Sequence, residues 1–161
     1  MFNQKVEFYL KIIFLFSFIA LISAFFIEYV LGHQPCNLCL IERIPYGLSI
    51  MIIMAIFLIR KNQKFLVMLL ILTFIFSFAI SFYHFGIEQG FFQESSVCGV
   101  KSFTEIITKE DLLKQLSEKT ISCKDVTFRI FGLSLTSINI VISLLLIITL
   151  LKIFKKYEKN K

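Results

Sequence analysis

The chain has 161 residues, of which 57% are hydrophobic and only 17% charged, and its formal net charge is +6. This apolar share lies above that of ordinary soluble domains, so the composition predicts an integral membrane protein. The positive charge does not call for a nucleic-acid partner, because membrane topology and contact with anionic lipid account for it.

Four apolar runs each approach the length of roughly 20 residues that spans a bilayer as a helix. They cover about residues 12–31, 44–59, 65–83 and 130–151. These runs predict an all-α, four-helix transmembrane bundle that forms one integral membrane domain over residues 1–161. The outer loops are then about 32–43 and 84–129. The first run is longer than the core of a signal peptide and no small-residue cleavage site follows it, so it is expected to be retained.

The distribution of lysine and arginine predicts the orientation of these helices. Of the 17 basic residues, ten lie in the N-terminal segment, the turn at 60–64 and the C-terminal segment, where only two acidic residues accompany them. The positive-inside rule places these segments, and so both termini, in the cytoplasm. All four cysteines are then expected on the opposite side of the membrane, where disulfides persist.

The first outer loop contains a CxxC motif made by Cys36 and Cys39. Two cysteines at this spacing can form an exchangeable disulfide, which is typical of a redox centre. Arg43 follows Cys39 by four residues, and a fixed cation nearby favours the reactive thiolate. Pro45 disfavours helix at the residue before it, so the second membrane helix is expected to begin near Ile44.

Two other uses of CxxC are less consistent with this sequence. A closed zinc site usually draws on two close pairs of ligands, whereas Cys98 and Cys123 are widely separated single cysteines, so no metal site is predicted. Haem attachment requires a histidine directly after the motif, and Leu40 occupies that position.

Three polar residues lie in or beside the apolar runs. His84 is at the outer end of the third run, where an imidazole is costly without a partner, so a proton carrier or a hydrogen-bond donor to a bound ligand is expected. Glu28 lies near the outer end of the first run and is interpreted as an interfacial anchor. Asn139 lies within the fourth run, and its amide is expected to bond across to another helix.

The second outer loop carries Cys98 and Cys123. Thr108 is a plausible cap for a short amphipathic helix, which would lie on the bilayer surface or pack against the end of the bundle. A disulfide between the two cysteines would restrain the loop, and a structural staple is the usual role of such a bond. Because a redox-type CxxC is expected on the same side, exchange between the two pairs is the better hypothesis.

Three blocks of sequence resemble the DsbB family, the quinone-linked membrane oxidases of disulfide-bond formation. They are PCNLCLIERIPYG at 35–47, FYHFGIEQGFF at 82–92 with Cys98 following, and CKDVTFRIFGLSLTSIN at 123–139. Together with the spacing of the four helices, the resemblance extends over nearly the whole chain, and the combination is specific.

The resemblance implies a membrane protein-disulfide oxidoreductase of the bacterial inner membrane. Such a protein re-oxidises a DsbA-like periplasmic protein with a thioredoxin fold and passes the electrons to a membrane quinone, ubiquinone or menaquinone. Cys98 resembles the cysteine that forms the mixed disulfide with the partner, and Cys123 resembles the other member of that loop disulfide. Cys36 and Cys39 would re-oxidise the loop pair, and Cys39 resembles the cysteine whose thiolate contacts the quinone.

Two further residues match positions near the quinone in this family. Arg43 resembles the arginine beside the quinone, and His84 occupies a position like that of the family's histidine near the same ring. One departure is Phe128, because many relatives carry tryptophan there and this chain contains no tryptophan.

Other functions are also compatible with parts of the sequence. The chain could be a non-catalytic membrane scaffold whose disulfides staple its loops, or an oxidase dedicated to one specialised client. Vitamin K epoxide reductase-like proteins have their redox CxxC late in the chain, which argues against them here. A transporter is disfavoured because no predicted helix is charged or broken near its middle.

Overall fold

The computed structural model describes residues 4–59, 62–94, 98, 122–124, 129–130 and 132–159. The amphipathic helix expected after Thr108 lies outside these residues. The described elements, in chain order, are α1 (Gln4–Tyr29), α2 (Asn37–Ile41), α3 (Ile44–Ile59), α4 (Gln63–Glu88), β1 (Arg129–Ile130), β2 (Leu133–Ser134) and α5 (Leu135–Lys159).

Four helical segments of the described chain are long and apolar enough to cross a membrane. They are Val6–Tyr29, Asn37–Ile59, Gln63–Glu88 and Leu135–Lys155. The predicted all-α, four-helix membrane bundle is therefore confirmed. Along the bundle, α1 packs against α3, α3 against α4, and α4 against α5.

The first two membrane segments differ in length from the apolar runs in the sequence. Helix α1 begins at Gln4, eight residues before the run, and Lys11 forms an i,i+4 ion pair with Glu7 on its surface (Nζ to Oε1, 3.1 Å). The second run is short for a bilayer, but α2 precedes α3 and extends the segment to 23 residues. Helix α3 begins at Ile44, as Pro45 predicts.

Helices α4 and α5 each start directly after a residue or hairpin with a defined backbone conformation. Asn62 is the residue at the N-cap position of α4 and lies in the left-handed region with φ of 56°; asparagine tolerates this conformation better than most residues. The strands β1 and β2 pair antiparallel, with Arg129 opposite Ser134, and Gly132 has φ of 83° in the turn. This hairpin places the start of α5 at Leu135, five residues after the start of the predicted run.

The main core is formed by apolar residues from all four long helices. Leu10, Ile53, Leu70, Phe74 and Leu150 are completely buried within it. Large apolar side chains also cover the outside of the bundle, as is expected where the surrounding solvent is lipid.

Small polar residues link the helices inside the bundle. Ser17 and Ser49 are fully buried, and their hydroxyls lie 3.0 Å apart between α1 and α3. Ser77 and Ser143 are also fully buried, and their hydroxyls lie 3.1 Å apart between α4 and α5. Small residues let membrane helices approach closely, and their hydrogen bonds add about 0.6 kcal/mol each.

Candidate active site

The CxxC motif lies at the start of α2. Cys36 is the N-cap of this helix with extended backbone (φ −71°, ψ 167°), and its Sγ accepts a hydrogen bond from the backbone N–H of Cys39 at 3.3 Å. Both cysteines are free thiols, and their sulfurs lie 2.7 Å apart. Cys36 is buried and Cys39 is partly exposed, so the cap geometry presents Cys39 as the more accessible sulfur of a pair already positioned for oxidation.

His84 of α4 lies directly beside the dithiol. It is only 2% exposed, and its Nε2 is 3.6 Å from Cys36 Sγ. Its Nδ1 is 2.8 Å from Oε1 of Glu42. Because an ionised carboxylate can only accept a hydrogen bond, the Nδ1–H group donates to Glu42, and Nε2 is the nitrogen that faces the sulfur.

Glu42 is positioned by residues from three long helices. Its Oε2 accepts a hydrogen bond from Nδ2 of Asn139 at 3.0 Å, and the same nitrogen donates to Ser81 Oγ at 2.7 Å. Oδ1 of Asn139 accepts from the Tyr46 hydroxyl. Asn139 thus bonds across helices, as predicted, and it also orients the carboxylate that holds His84.

A second acidic residue, Glu88, lies one helical turn after His84. Its Oε1 is 3.9 Å from His84 Nε2 and accepts a hydrogen bond from Thr136 of α5 at 2.5 Å. The side chain is 5% exposed, and its Oε2 is buried with no hydrogen-bond partner among the described residues. Burying a carboxylate oxygen without a hydrogen-bond partner costs free energy, so the position of Glu88 Oε2 calls for an explanation.

The hydrogen-bond network favours the thiolate of Cys36. A hydrogen bond from the Cys39 thiol lowers the pKa of Cys36 from 9.0 to about 4; the hydrogen bond and positive charge of His84 act in the same direction, and burial opposes them. The thiolate is the form that attacks disulfides and binds metals. In the dithiol state, Cys36 is therefore the sulfur that carries the negative charge.

Arg43 faces α1. Its Nη1 donates to Oε2 of Glu28 in a largely buried ion pair, and the guanidinium carbon lies 5.3 Å from the centre of the Phe25 ring. Helix α2 ends at Ile41 and α3 begins at Ile44, so Arg43 and Cys39 do not share one continuous helix. Stabilisation of the Cys39 thiolate by Arg43 stays a prediction. The structure pairs Glu28 with Arg43.

The second cysteine pair forms a disulfide. Cys98 and Cys123 are bonded, with their Cα atoms 5.6 Å apart, and they are 1% and 2% exposed. They form one buried cluster with Cys36, Leu38 and Ile87, against which Cys39 packs. The fold therefore brings the dithiol and the disulfide into a single small core at one end of the bundle.

The site also contains three potential metal ligands. The sulfurs of Cys36 and Cys39 and a ring nitrogen of His84 all lie within 4.8 Å of one another. Two sulfurs and one imidazole nitrogen are donors that zinc prefers.

Glu42, Glu88 and Thr136 belong to the site although no role was predicted for them from the sequence. Glu88 was within reach of a sequence argument, because residues four apart share a helix face and Glu88 follows His84 by four. Glu42 is between the CxxC motif and Arg43, but its contact with His84 spans 42 residues of sequence. Nothing in the local sequence around Thr136 indicates its contact with Glu88.

A four-helix membrane bundle with a dithiol and a disulfide in one buried cluster defines a membrane thiol-disulfide protein. The chain matches the model of the family described as disulfide bond formation protein DsbB over residues 7–153. It is also similar to an uncharacterized protein of Rickettsia prowazekii (strain Madrid E), with 32% identity over 147 residues that cover 90% of this chain and 86% of the relative.

The chain belongs to the DsbB family. It is accordingly a multi-pass membrane protein of disulfide-bond formation, with disulfide oxidoreductase activity.

Proposed function

We propose that this protein re-oxidises a DsbA-like, thioredoxin-fold protein in the periplasm and passes the electrons to a membrane quinone. The observation that carries the proposal is the single buried cluster that contains both cysteine pairs. Thiol-disulfide exchange requires direct attack of one sulfur on another, so two pairs that communicate must be close in space.

The exchange steps balance in sulfur bonds and electrons. A thiolate of the reduced partner attacks Cys98, forming a mixed disulfide and releasing Cys123 as a thiolate; the partner's second thiol then closes its own disulfide and leaves both loop cysteines reduced. The loop dithiol next reduces a disulfide between Cys36 and Cys39 and becomes a disulfide again. The thiol pair described at the start of α2 is the product of this second exchange.

Access to the loop disulfide requires a local movement. Cys98 and Cys123 are both nearly fully buried, and a partner's sulfur must approach within bonding distance of the one it attacks. We therefore infer that binding of the partner displaces the loop from the cluster, which also exposes the dithiol below it.

The surface around Cys39 suits an apolar electron acceptor. Cys39 is partly exposed, and the neighbouring side chains of Leu40 and Ile44 are 43% and 59% exposed. Arg43 has five N–H donors, and the ion pair with Glu28 uses Nη1. When bound, a quinone accepts two electrons and two protons. Cys39 and Arg43 are the residues that we assign to its reacting end, with Leu40 and Ile44 against its ring.

His84 is placed to handle protons during the reaction. Its Nε2 faces Cys36, and Glu42 stabilises the positive charge that forms when this nitrogen is protonated. In the state described above, Cys36 is a thiolate and His84 carries the matching proton, so oxidation of the dithiol removes the thiolate charge and lets His84 release that proton. Its role in contact with the quinone, which the family resemblance implies, is part of the same proposal.

The proposed location is the bacterial inner membrane, with both termini in the cytoplasm and both cysteine pairs on the periplasmic side. The support comes from the sequence, in which ten of the 17 basic residues lie in the N-terminal segment, the turn at 60–64 and the C-terminal segment, away from all four cysteines along the chain. An oxidising compartment is also required for a disulfide to persist.

The test uses purified protein in detergent with a soluble quinone and a reduced thioredoxin-like dithiol protein, and it follows quinone absorbance with time. Wild type should consume quinone, and Cys39→Ser should abolish this consumption because the dithiol can no longer form its disulfide. Thr149→Ala is the control, since Thr149 is partly exposed on α5 and its hydroxyl donates to the carbonyl of Leu145 in its own helix.

Equal quinone consumption by wild type and Cys39→Ser would contradict the proposal. Absence of consumption with several quinones and partners would favour the scaffold function, in which the disulfide only staples the loop. Activity with one specialised partner and none with a general DsbA-like protein would identify a dedicated oxidase.

A further inference from the structure

The dithiol and His84, which serve the proposed redox reaction, also form a set of three potential metal ligands. The two sulfurs and a ring nitrogen lie within 4.8 Å of one another, and Nε2 is the nitrogen that faces Cys36 at 3.6 Å. The other ring nitrogen donates to Glu42 at 2.8 Å. A histidine that binds a metal through one nitrogen and donates to a carboxylate through the other is the usual arrangement in metal sites.

The sulfur–imidazole distance fits a tetrahedral site for zinc, and the sulfur–sulfur distance is too short by about 1 Å. Zinc binds thiolate sulfur at about 2.3 Å and imidazole nitrogen at about 2.0–2.1 Å, which in a tetrahedron separates the donor atoms by roughly 3.5–3.8 Å. The distance from Cys36 Sγ to His84 Nε2, 3.6 Å, lies in that range. The two sulfurs, 2.7 Å apart, need to separate by about 1 Å, which a side-chain rotation of the partly exposed Cys39 can supply.

Glu88 supplies a candidate for the fourth ligand. Its Oε1 lies 3.9 Å from Nε2 of His84. Thr136 occupies Oε1, whereas Oε2 is buried without a hydrogen-bond partner among the described residues. An unpartnered carboxylate oxygen one helical turn from the histidine is the type of group that can complete a Cys₂His zinc site.

We propose that the reduced form of this protein binds a thiophilic divalent cation of the zinc class through Cys36, Cys39 and His84. Glu88 is the fourth ligand, and Glu42 orients the histidine. A disulfide between Cys36 and Cys39 removes two of the three ligand atoms of the core site, so metal binding and oxidation of the dithiol exclude each other. Zn²⁺ is then an inhibitor that holds the protein in its reduced state.

The fold explains why cysteine spacing in the sequence does not indicate this site. A second close pair of ligands is missing from the sequence, because Cys98 and Cys123 are bonded to each other. The packing of α4 against α3 instead brings in His84, which lies 48 residues from Cys36 in sequence.

The test measures Co²⁺ binding, because a cobalt ion in a tetrahedral thiolate site absorbs visible light and is displaced by zinc. The protein is a full-length Cys98→Ser and Cys123→Ser double variant in detergent, reduced and freed of reductant without oxygen, so that the loop cannot supply thiols. We expect one Co²⁺ per chain with a tetrahedral spectrum and a thiolate charge-transfer band, and full displacement by Zn²⁺. Oxidising the dithiol should eliminate the signal.

Variants of the site distinguish bound metal from adventitious binding at free thiols. His84→Ala should weaken Co²⁺ binding by more than the 10- to 100-fold that is typical for loss of an outer partner, and Glu42→Gln should weaken it by about 10- to 100-fold. Glu88→Gln should change the visible spectrum by replacing the fourth ligand. His33→Ala is the matched histidine control, because the ligand group found among the described residues consists of Cys36, Cys39 and His84.

Three results would overturn the proposal: a spectrum without tetrahedral bands, the same affinity in His84→Ala as in the parent protein, or a signal that survives oxidation of the dithiol. Wild-type protein gives a second measurement if the double variant fails to fold. In fully reduced wild type, Zn²⁺ should protect Cys36 and Cys39 from alkylation more strongly than Cys98 and Cys123, and equal protection of all four would also overturn it. Neither assay uses a quinone or a protein partner.

Discussion

Cys36 is the residue on which the hydrogen bonds of the site converge. Its sulfur receives the Cys39 backbone N–H, lies 2.7 Å from the Cys39 sulfur and faces His84. Each donor stabilises negative charge on this sulfur, and together they outweigh the cost of burying the charge. The two thiols of the CxxC motif therefore differ in this fold, because the hydrogen bonds stabilise the thiolate of Cys36.

The first prediction concerns titration of Cys36. A pKa lowered from 9.0 to about 4 favours the charged form of Cys36. The ultraviolet absorbance of the thiolate should therefore persist as the pH falls from 8 to about 5, and it should disappear at about pH 4. Cys39→Ala removes the largest stabilising hydrogen bond and should move this transition to higher pH. The measurement is a pH titration of reduced protein that lacks the loop cysteines. Loss of the signal between pH 9 and 8 would contradict the assignment.

Arg43 carries the second prediction at the scale of single residues. If its guanidinium stabilises negative charge on the reduced acceptor, Arg43→Ala should raise the apparent KM for quinone at least about tenfold, because a hydrogen bond to a charged group contributes about 1.5–3 kcal/mol. The KM for the protein partner should change much less. Steady-state assays with each substrate varied in turn measure both values.

Glu28→Gln separates the charge of Arg43 from its position. This variant keeps the cation but weakens the ion pair that holds it against α1, so it should raise the KM for quinone less than Arg43→Ala does. An unchanged KM in Arg43→Ala would remove this residue from the quinone site and leave it as a link between α1 and the start of α3.

At the scale of elements, the end of α4 is locked to the segment that follows it. The ring of Phe92 stacks on Tyr83 with centroids 5.7 Å apart, and the backbone N–H groups of Phe91 and Phe92 both donate to the carbonyl of Gly86. A Cβ at Gly86 would lie 2.1 Å from the Phe92 ring. Only glycine allows this close return of the chain toward the loop that carries Cys98.

Two glycine substitutions test this contact. Gly86→Ala should displace the Phe92 ring and lower the free energy of unfolding by about 1–3 kcal/mol, as overpacking does. Gly47→Ala is the matched control within α3, where an added Cβ meets no atom within 4 Å; it should be neutral or stabilise by up to about 1 kcal/mol through helix propensity. Thermal unfolding in detergent measures both. Equal stability of the two variants would show that Phe92 moves away at no cost.

At the scale of the whole molecule, the packing core and the cysteine cluster occupy different parts of the bundle. The large apolar core lies between the four long helices, and the cysteine cluster forms a second, smaller core at one end. The small core is built from α2, the end of α4 and the loop disulfide. We therefore expect that a movement of the loop disulfide leaves the packing of the large core unchanged.

Membrane orientation is the prediction that belongs to this scale. A variant without its four natural cysteines provides the background for single cysteines at two exposed positions, Gln93 after α4 and Asn62 in the turn before it. In spheroplasts, a membrane-impermeant maleimide should label Gln93→Cys directly and Asn62→Cys only after permeabilisation. The reverse pattern would place the cysteine pairs in the cytoplasm and contradict the proposed periplasmic function.

The sequence by itself determined the number of membrane spans and the start of α3 near Pro45. Its CxxC motif also indicated thiol-disulfide chemistry. These are local properties, since a bilayer requires a continuous apolar run and a proline acts on the residue before it. The family resemblance also followed from sequence, because its three motifs are contiguous blocks.

Only the tertiary structure decided which residues surround the dithiol. Glu42, His84 and Thr136 come from three separate parts of the chain, and their contacts depend on how α3, α4 and α5 are rotated about their axes. Side-chain packing across the whole interface sets that rotation, and no local pattern specifies it. For the same reason, the sequence placed Arg43 near Cys39 along the chain, whereas the fold pairs its guanidinium with Glu28 of α1.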